Sequence, residues 1–249
     1  MTMRSEKVFA FDFLDRNASE VALLNDSIFY FGELGMQEYE TSGLMTELLE
    51  QGGFKVDRGI AGFPTGFCAT WGSGSPVVPI HTEYDSNPDN SQRSGVPDAS
   101  PIVDGAPGHC EGHNCNGAVM ISAALAAKAA MQKFGLQGTL KVFGAPAEEQ
   151  LISRPYFVRD GWFDDVDVAL TPHVGHQHGV GYGLIQSSII SAIFTFHGET
   201  AHAGTAPWKG RDALDAVILM DVGSMCQAAP PAPALSPLPE CDRWSARWC

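Results

Sequence analysis

Positive charge is scarce in this chain. Of its 249 residues 15 are Lys or Arg against 29 Asp or Glu, a formal net charge of −14. No broad basic surface can form to neutralise nucleic-acid phosphates or anionic lipid, so neither is expected as a partner. A long apolar run is also missing. The most extended apolar helical stretch, Ala118–Met131, carries Lys128 and is too short to cross a bilayer. At the N-terminus Glu6, Lys7 and Asp12 interrupt the apolar residues, so a secretory h-region is not expected and the chain is placed in the cytoplasm. Six cysteines (Cys68, Cys110, Cys115, Cys226, Cys241, Cys249) are scattered without a CxxC pair, which argues against a zinc finger or a disulfide framework. Histidine is absent before His81 and after His202, so all eight histidines lie in the middle of the chain. The one near-neutral, metal-binding side chain is concentrated where chemistry is to be expected. A 44% hydrophobic and 18% charged composition supports a sizeable core and excludes disorder as the main state.

Apolar spacing predicts two amphipathic helices between Ser19 and Gly53, on Val21, Leu24 and Ile28 and then on Leu44, Leu48 and Leu49. Thr41 and Ser42 are candidate caps of the second, and Gly52 and Gly53 its stop. Short β-prone runs follow at 54–56, 67–70 and 76–80, separated by Gly and Pro. The last runs into His81-Thr82-Glu83-Tyr84-Asp85. Ser86–Pro107, rich in Asn, Asp, Ser, Pro and Gly, reads as a long functional loop. Asn116 is a candidate cap for a helix over 117–134 ended by Gly135. A strand over 139–143 then delivers Glu148-Glu149, a helix is expected over 154–161, and a strand over 166–170 ends at His173. The alternation predicts an α/β fold with a mostly parallel sheet flanked by helices. From about Gly183 a β-prone run (189–196), a Gly/Ala/Pro loop and a helix over 211–220 suggest a second, smaller domain. The expected domains are 1–183, 184–223 and a low-complexity tail, 224–249, read as disordered or aberrant.

Polar clusters at strand ends are where open α/β sheets bind ligands. Carboxylates and imidazoles are ligands of borderline divalent ions, and Glu111 with His113 offers one of each two residues apart. With Glu149 and His173 there are four donors. Glu148 is then left to take a proton from the attacking water and pass it to a leaving nitrogen, the arrangement of metal-assisted hydrolysis.

Five ordered segments give a more specific reading: Glu33-Leu34-Gly35-Met36-Gln37-Glu38, Glu83-Tyr84-Asp85, Gly112-His113-Asn114, Pro146-Ala147-Glu148-Glu149 and Ala201-His202-Ala203. Over about 29–223 the chain resembles the metal-dependent amidohydrolases and exopeptidases that include aminoacylase, hippurate hydrolase, auxin-conjugate amidohydrolases and aminobenzoyl-glutamate hydrolase. The resemblance implies that Glu148 is the general base and that His113, Glu149 and His173 are ligands of one or two zinc or manganese ions. It also implies that Asp85 orients the metal site. His202, on the smaller lid and dimerisation domain, is implied to stabilise the oxyanion in a neighbouring subunit's site, so a homodimer is expected.

Three departures stand out. Glu111 occupies the position of a bridging Cys or Asp in the family, with Cys110 as an alternative ligand in shifted register. Glu83 stands where many members have a metal-binding His, and is expected behind the ligands. The family's C-terminal segment with its last histidine ligand is expected to be absent. The function expected is hydrolysis of carbon–nitrogen bonds, foremost of N-acyl or N-aroyl amino acid amides. Two alternatives stay open: removal of an amino group from an aromatic amine, and a truncated metal-binding remnant without catalysis.

Overall fold

The computed structural model describes residues 3–176, 179–181 and 192–225. The chain divides into two units, Met1–Ile185 and Gln186–Cys249.

The first unit runs α1 (Ser5–Arg16), α2 (Ala18–Phe31), α3 (Tyr39–Gln51), β1 (Lys55–Arg58), β2 (Phe67–Ser73), β3 (Val77–Thr82), α4 (His113–Phe134), β4 (Gly138–Gly144) and α5 (Ser153–Arg159). The α/β class and the flanking helices are as expected. The sheet, ordered β1-β2-β4-β3, is however mixed rather than mostly parallel: β1 with β2 and β2 with β4 are antiparallel, and only β3 with β4 is parallel. Connection length explains this. Residues 59–66 and 74–76 are too short to return the chain for a parallel neighbour, whereas α4 provides the long crossover between β3 and β4. The segment expected as a strand over 166–170 makes one parallel bridge, Leu170 to Ile80, with its N–H and C=O bonded to Pro79 O and His81 N at 3.0 and 2.8 Å.

Alternation along the strands builds two core layers. Phe67, Ala69 and Val142 face α2, α3 and α4 through Ile28, Met45, Leu49 and Ile121. Cys68 and Phe143 face the opposite way, against Phe63 and Phe157 of the α5 side. Burial of these apolar side chains, each contributing roughly 1.5–3 kcal/mol, fixes which strand ends lie side by side.

Two expected caps are replaced. Thr41 and Ser42 lie inside α3, and the Glu33 carboxylate accepts the Glu40 and Thr41 N–H groups, each at 2.9 Å. Helix α4 begins at His113, not near Gly117, behind a left-handed Gly112 (φ 83°). A Cβ at Gly112 would come within 2.7 Å of Val174 Cγ2, so glycine brings the α4 start against the segment carrying His173. Asn116 is consequently not a cap. Its amide donates to Glu83 Oε1 at 3.1 Å.

In the second unit Glu199 and Arg211 form an antiparallel bridge and an ion pair, and α6 spans Ala213–Met225 with Asp212 Oδ1 accepting the Leu214 N–H at 2.8 Å. Residues 192–196 of the expected β run carry no strand, and 189–191 lie outside the described residues. Helix α6 continues two residues into the segment expected to be a tail, and 226–249 lie outside the described residues. Among the described residues no helix is long and apolar enough to cross a membrane.

Candidate metal centre

The parallel part of the sheet positions the centre. In register His81 pairs with Phe143 and Thr82 with Gly144, so β3 and β4 release Glu83–Asp85 and Ala145–Glu149 at one edge. The Leu170 bridge to Ile80 delivers His173 to the same edge, and α4 points its first residue, His113, at it.

His113 is buried. Its Nδ1 is 3.1 Å from Asp85 O and 3.2 Å from Asp85 Oδ1, which makes Nδ1 the donor and leaves a lone pair on Nε2. That Nε2 is buried without any hydrogen-bond partner. Three carboxylate oxygens surround it at a distance, Glu148 Oε2 at 3.8 Å, Glu83 Oε1 at 3.9 Å and Glu149 Oε1 at 4.0 Å. A buried nitrogen lone pair facing several carboxylates costs stability unless a cation occupies the gap. The donor set of imidazole and carboxylate suits a divalent ion, and the Asp85–His113 pair is the usual support of a metal-ligating imidazole. The residues present therefore fit a metal.

Metal-sized groups of ligand atoms form twice: Glu111 with His113 and Glu149, and Glu83 with His113 and His173. The expected ligands are thus brought together around His113. Glu83, expected behind them, shares a cluster with two of them, its Oε1 lying 3.8 Å from His173 Nε2. The rings of His113 and His173 meet edge to face at 5.6 Å. The thiol of Cys110 is exposed and accepts from Asn87 Nδ2 at 3.3 Å, and belongs to neither group.

Positioning groups hold the carboxylates. Asp85 Oδ2 accepts the Glu149 N–H at 3.0 Å, and Asn87 Nδ2 donates to Glu149 Oε1 at 2.8 Å. Ala147, left-handed at φ 54°, is held by the buried Glu38, which accepts its N–H at 2.8 Å and the Thr65 hydroxyl at 2.9 Å. This strained residue turns the chain so that Glu148 and Glu149 both reach His113 Nε2, at 3.8 and 4.0 Å. Arg154 of α5 reaches back to pair with Glu83 Oε2, donates to Glu148 Oε1 at 3.1 Å and to His81 Nε2 at 3.1 Å. Sequence reasoning missed Arg154 and the support by Glu38, Asn87 and Asn116. The signal for Arg154 was its isolation, since no other Lys or Arg lies between Lys141 and Arg159.

Burial pushes the Glu148 carboxyl above the usual range, opposed by His113 and reinforced by Asp85 and Glu149. Burial disfavours charge on His113, but its bond to Asp85 and the surrounding carboxylates outweigh this and raise its pKa. Burial and the Arg154 charge push His81 down to about 3, so it is a neutral acceptor.

In the second unit His202 is exposed, and its Nδ1 accepts the N–H groups of Gly204 and Thr205 at 3.1 and 3.2 Å. These bonds fix the tautomer with the proton on Nε2.

One of the subunits of the p-aminobenzoyl-glutamate hydrolase of Escherichia coli (strain K12) is 34% identical over 216 residues, covering 87% of this chain and 45% of that protein. The chain belongs to the M20 family of metal-dependent amidohydrolases and peptidases. A further relative is the Xaa-Arg dipeptidase of Mus musculus, 26% identical over 218 residues, 83% of this chain and 46% of that protein. The chain spans about half the length of the curated relatives it matches. Among solved structures, an aminobenzoyl-glutamate utilization protein from Klebsiella pneumoniae has the same fold with a TM-score of 0.61 at 18% identity, over 90% of this chain and 61% of that one. A dinuclear metal-binding peptidase of the M20 family from Bacillus subtilis aligns with a TM-score of 0.51 at 24% identity, over 61% of this chain and 41% of that one. No family model matches the chain.

Proposed function

We propose that the chain is the metal-binding part of a hydrolase of carbon–nitrogen bonds that cleaves the amide between an acyl or aroyl group and an amino acid. The observation that carries this reading is the buried, unpartnered Nε2 of His113 facing Glu83, Glu148 and Glu149. Glu111, His113, Glu149 and His173 are assigned to one or two divalent ions, zinc or manganese. Such an ion, when bound, polarises the amide carbonyl and makes water acidic enough to attack at neutral pH.

The remaining steps belong to the chain's own residues. Asp85 keeps the proton of His113 on Nδ1 and so keeps Nε2 a ligand atom. Glu148, raised by burial, accepts the proton of the attacking water and returns it to the leaving nitrogen. His202, with its proton fixed on Nε2, is assigned the role of donor to the developing oxyanion of a partner subunit in a homodimer. The reading includes a cytoplasmic location.

An N-aroyl amino acid is favoured because a relative is named for p-aminobenzoyl-glutamate, which joins an aromatic acid to an amino acid. A dipeptidase relative points to the same kind of bond, and this favours amide cleavage over removal of a ring amino group. The test is to incubate the chain with Mn²⁺ or Zn²⁺ and p-aminobenzoyl-glutamate or N-acetyl amino acids, with Glu148→Gln as control. Release of the free amino acid by wild type alone supports the proposal. Bound metal without turnover supports a metal-binding chain without catalysis.

A further inference from the structure

The two metal-sized clusters share one residue, His113. Glu111 and Glu149 form one group with His113, Glu83 and His173 form the other, and both groups include the same imidazole. The Nδ1 of that imidazole is committed to Asp85, so Nε2 alone can ligate. One imidazole nitrogen has one lone pair, and the two clusters cannot both use it at once.

Arg154 decides between them. Its guanidinium pairs with Oε2 of Glu83, whose side chain is only 3% exposed, and also donates to Glu148 Oε1 and to His81 Nε2, each at 3.1 Å. The Asn116 amide occupies the other oxygen of Glu83, at 3.1 Å. Each oxygen of Glu83 thus has a donor already, and a fixed positive charge sits against it. A divalent ion against Glu83 would meet like charge and displace two hydrogen-bond donors, whereas Glu111 and Glu149 make no ion pair with Lys or Arg among the described residues, Glu149 Oε1 accepting only from Asn87.

We propose that Arg154 is a built-in counter-cation that confines the centre to one divalent ion, narrowing the four residues assigned above to Glu111, His113 and Glu149 and leaving His173 outside the ligand set. The inference rests on the metal reading above and departs from the count of two in the Bacillus subtilis fold neighbour. Replacing Arg154 frees Glu83 to join His173 as a second ion-binding pair.

Equilibrium dialysis of the chain against Mn²⁺ alone, with metal analysis and electron paramagnetic resonance, tests it. Wild type is expected to hold one ion per chain with an uncoupled signal, and Arg154→Met to gain a second with an exchange-coupled signal. The double variant Glu83→Gln/Arg154→Met is expected to return to one. Glu83→Gln alone is expected to bind the single ion within about threefold of wild type, and a loss above tenfold overturns the proposal. Two coupled ions in wild type, or a single ion in a folded Arg154→Met, also overturn it while leaving the metal reading intact. Should Arg154→Met not fold, the wild-type count and the Glu83→Gln affinity decide. No bound ion in wild type overturns this inference and the metal reading together.

Discussion

Asp85 and His113 are joined twice, the imidazole Nδ1 lying 3.2 Å from the carboxylate Oδ1 and 3.1 Å from the backbone oxygen of the same residue. The pairing fixes ring orientation and tautomer together. Through Oδ2, Asp85 also holds the Glu149 backbone, so one carboxylate aligns two assigned ligands. Asp85→Asn keeps the shape but supplies a weaker acceptor, and metal affinity is expected to fall about 10- to 100-fold. Isothermal titration with Zn²⁺ measures this. Unchanged affinity removes Asp85 from the orienting role.

Glu148 separates binding from chemistry. In a form that turns over substrate, Glu148→Gln is nearly isosteric and leaves Glu149 in place. Metal content is expected to stay within twofold, while kcat falls roughly 10²- to 10⁴-fold because the amide cannot accept a proton. Near-normal kcat excludes Glu148 as the base.

Acid sensitivity follows from two buried histidines outside the assigned ligands. Burial holds His81 down to about 3 and His109 down to about 4, against an ordinary value near 6.5. The unfolded chain binds more protons than the native one between those values and about 6.5. Stability is therefore full above about pH 6.5 and is lost as pH falls toward 4, each group contributing up to roughly 1.4 kcal/mol per pH unit in that window. Urea midpoints from pH 7 to 4.5 should fall steadily, and His109→Gln should flatten the slope. Equal slopes in wild type and variant contradict the buried, neutral state of His109.

His202 makes a prediction about assembly. In a form able to dimerise and turn over, His202→Ala should lose most activity with metal content unchanged. Mixed dimers of His202→Ala with Glu148→Gln should recover part of it, because one composite site then contains both wild-type groups. With subunit exchange verified, no recovery contradicts a role across the interface.

The sequence made some of this legible and not the rest, for a physical reason. Asp85, His113, Glu148 and Glu149 each sit in a short motif at a strand end or helix start, so the sequence could nominate them for one place, and the structure brings them together there. Arg154 meets Glu83 and His81 only because α5 folds back beneath the sheet edge, a tertiary contact that local pattern does not encode. The same applies to Glu38, which supports Ala147 from a distant part of the sequence, and to Asn116, whose capping propensity yielded to a buried carboxylate. Strand positions were legible from β-prone runs, but strand direction was not. The short links at 59–66 and 74–76 reversed the chain where alternation with helices suggested parallel pairing.

The central claim is that His113 Nε2 is a ligand atom, and thermal melting with and without metal tests it most directly. At a Zn²⁺ or Mn²⁺ concentration about 100 times Kd, binding to the native state adds about 2.7 kcal/mol, a rise in Tm of roughly 5–10 °C for a domain of this size. The account predicts that rise in wild type and its absence in His113→Ala, compared as the metal-induced shift so that any change in the metal-free Tm cancels. An equal shift in both proteins would contradict the account.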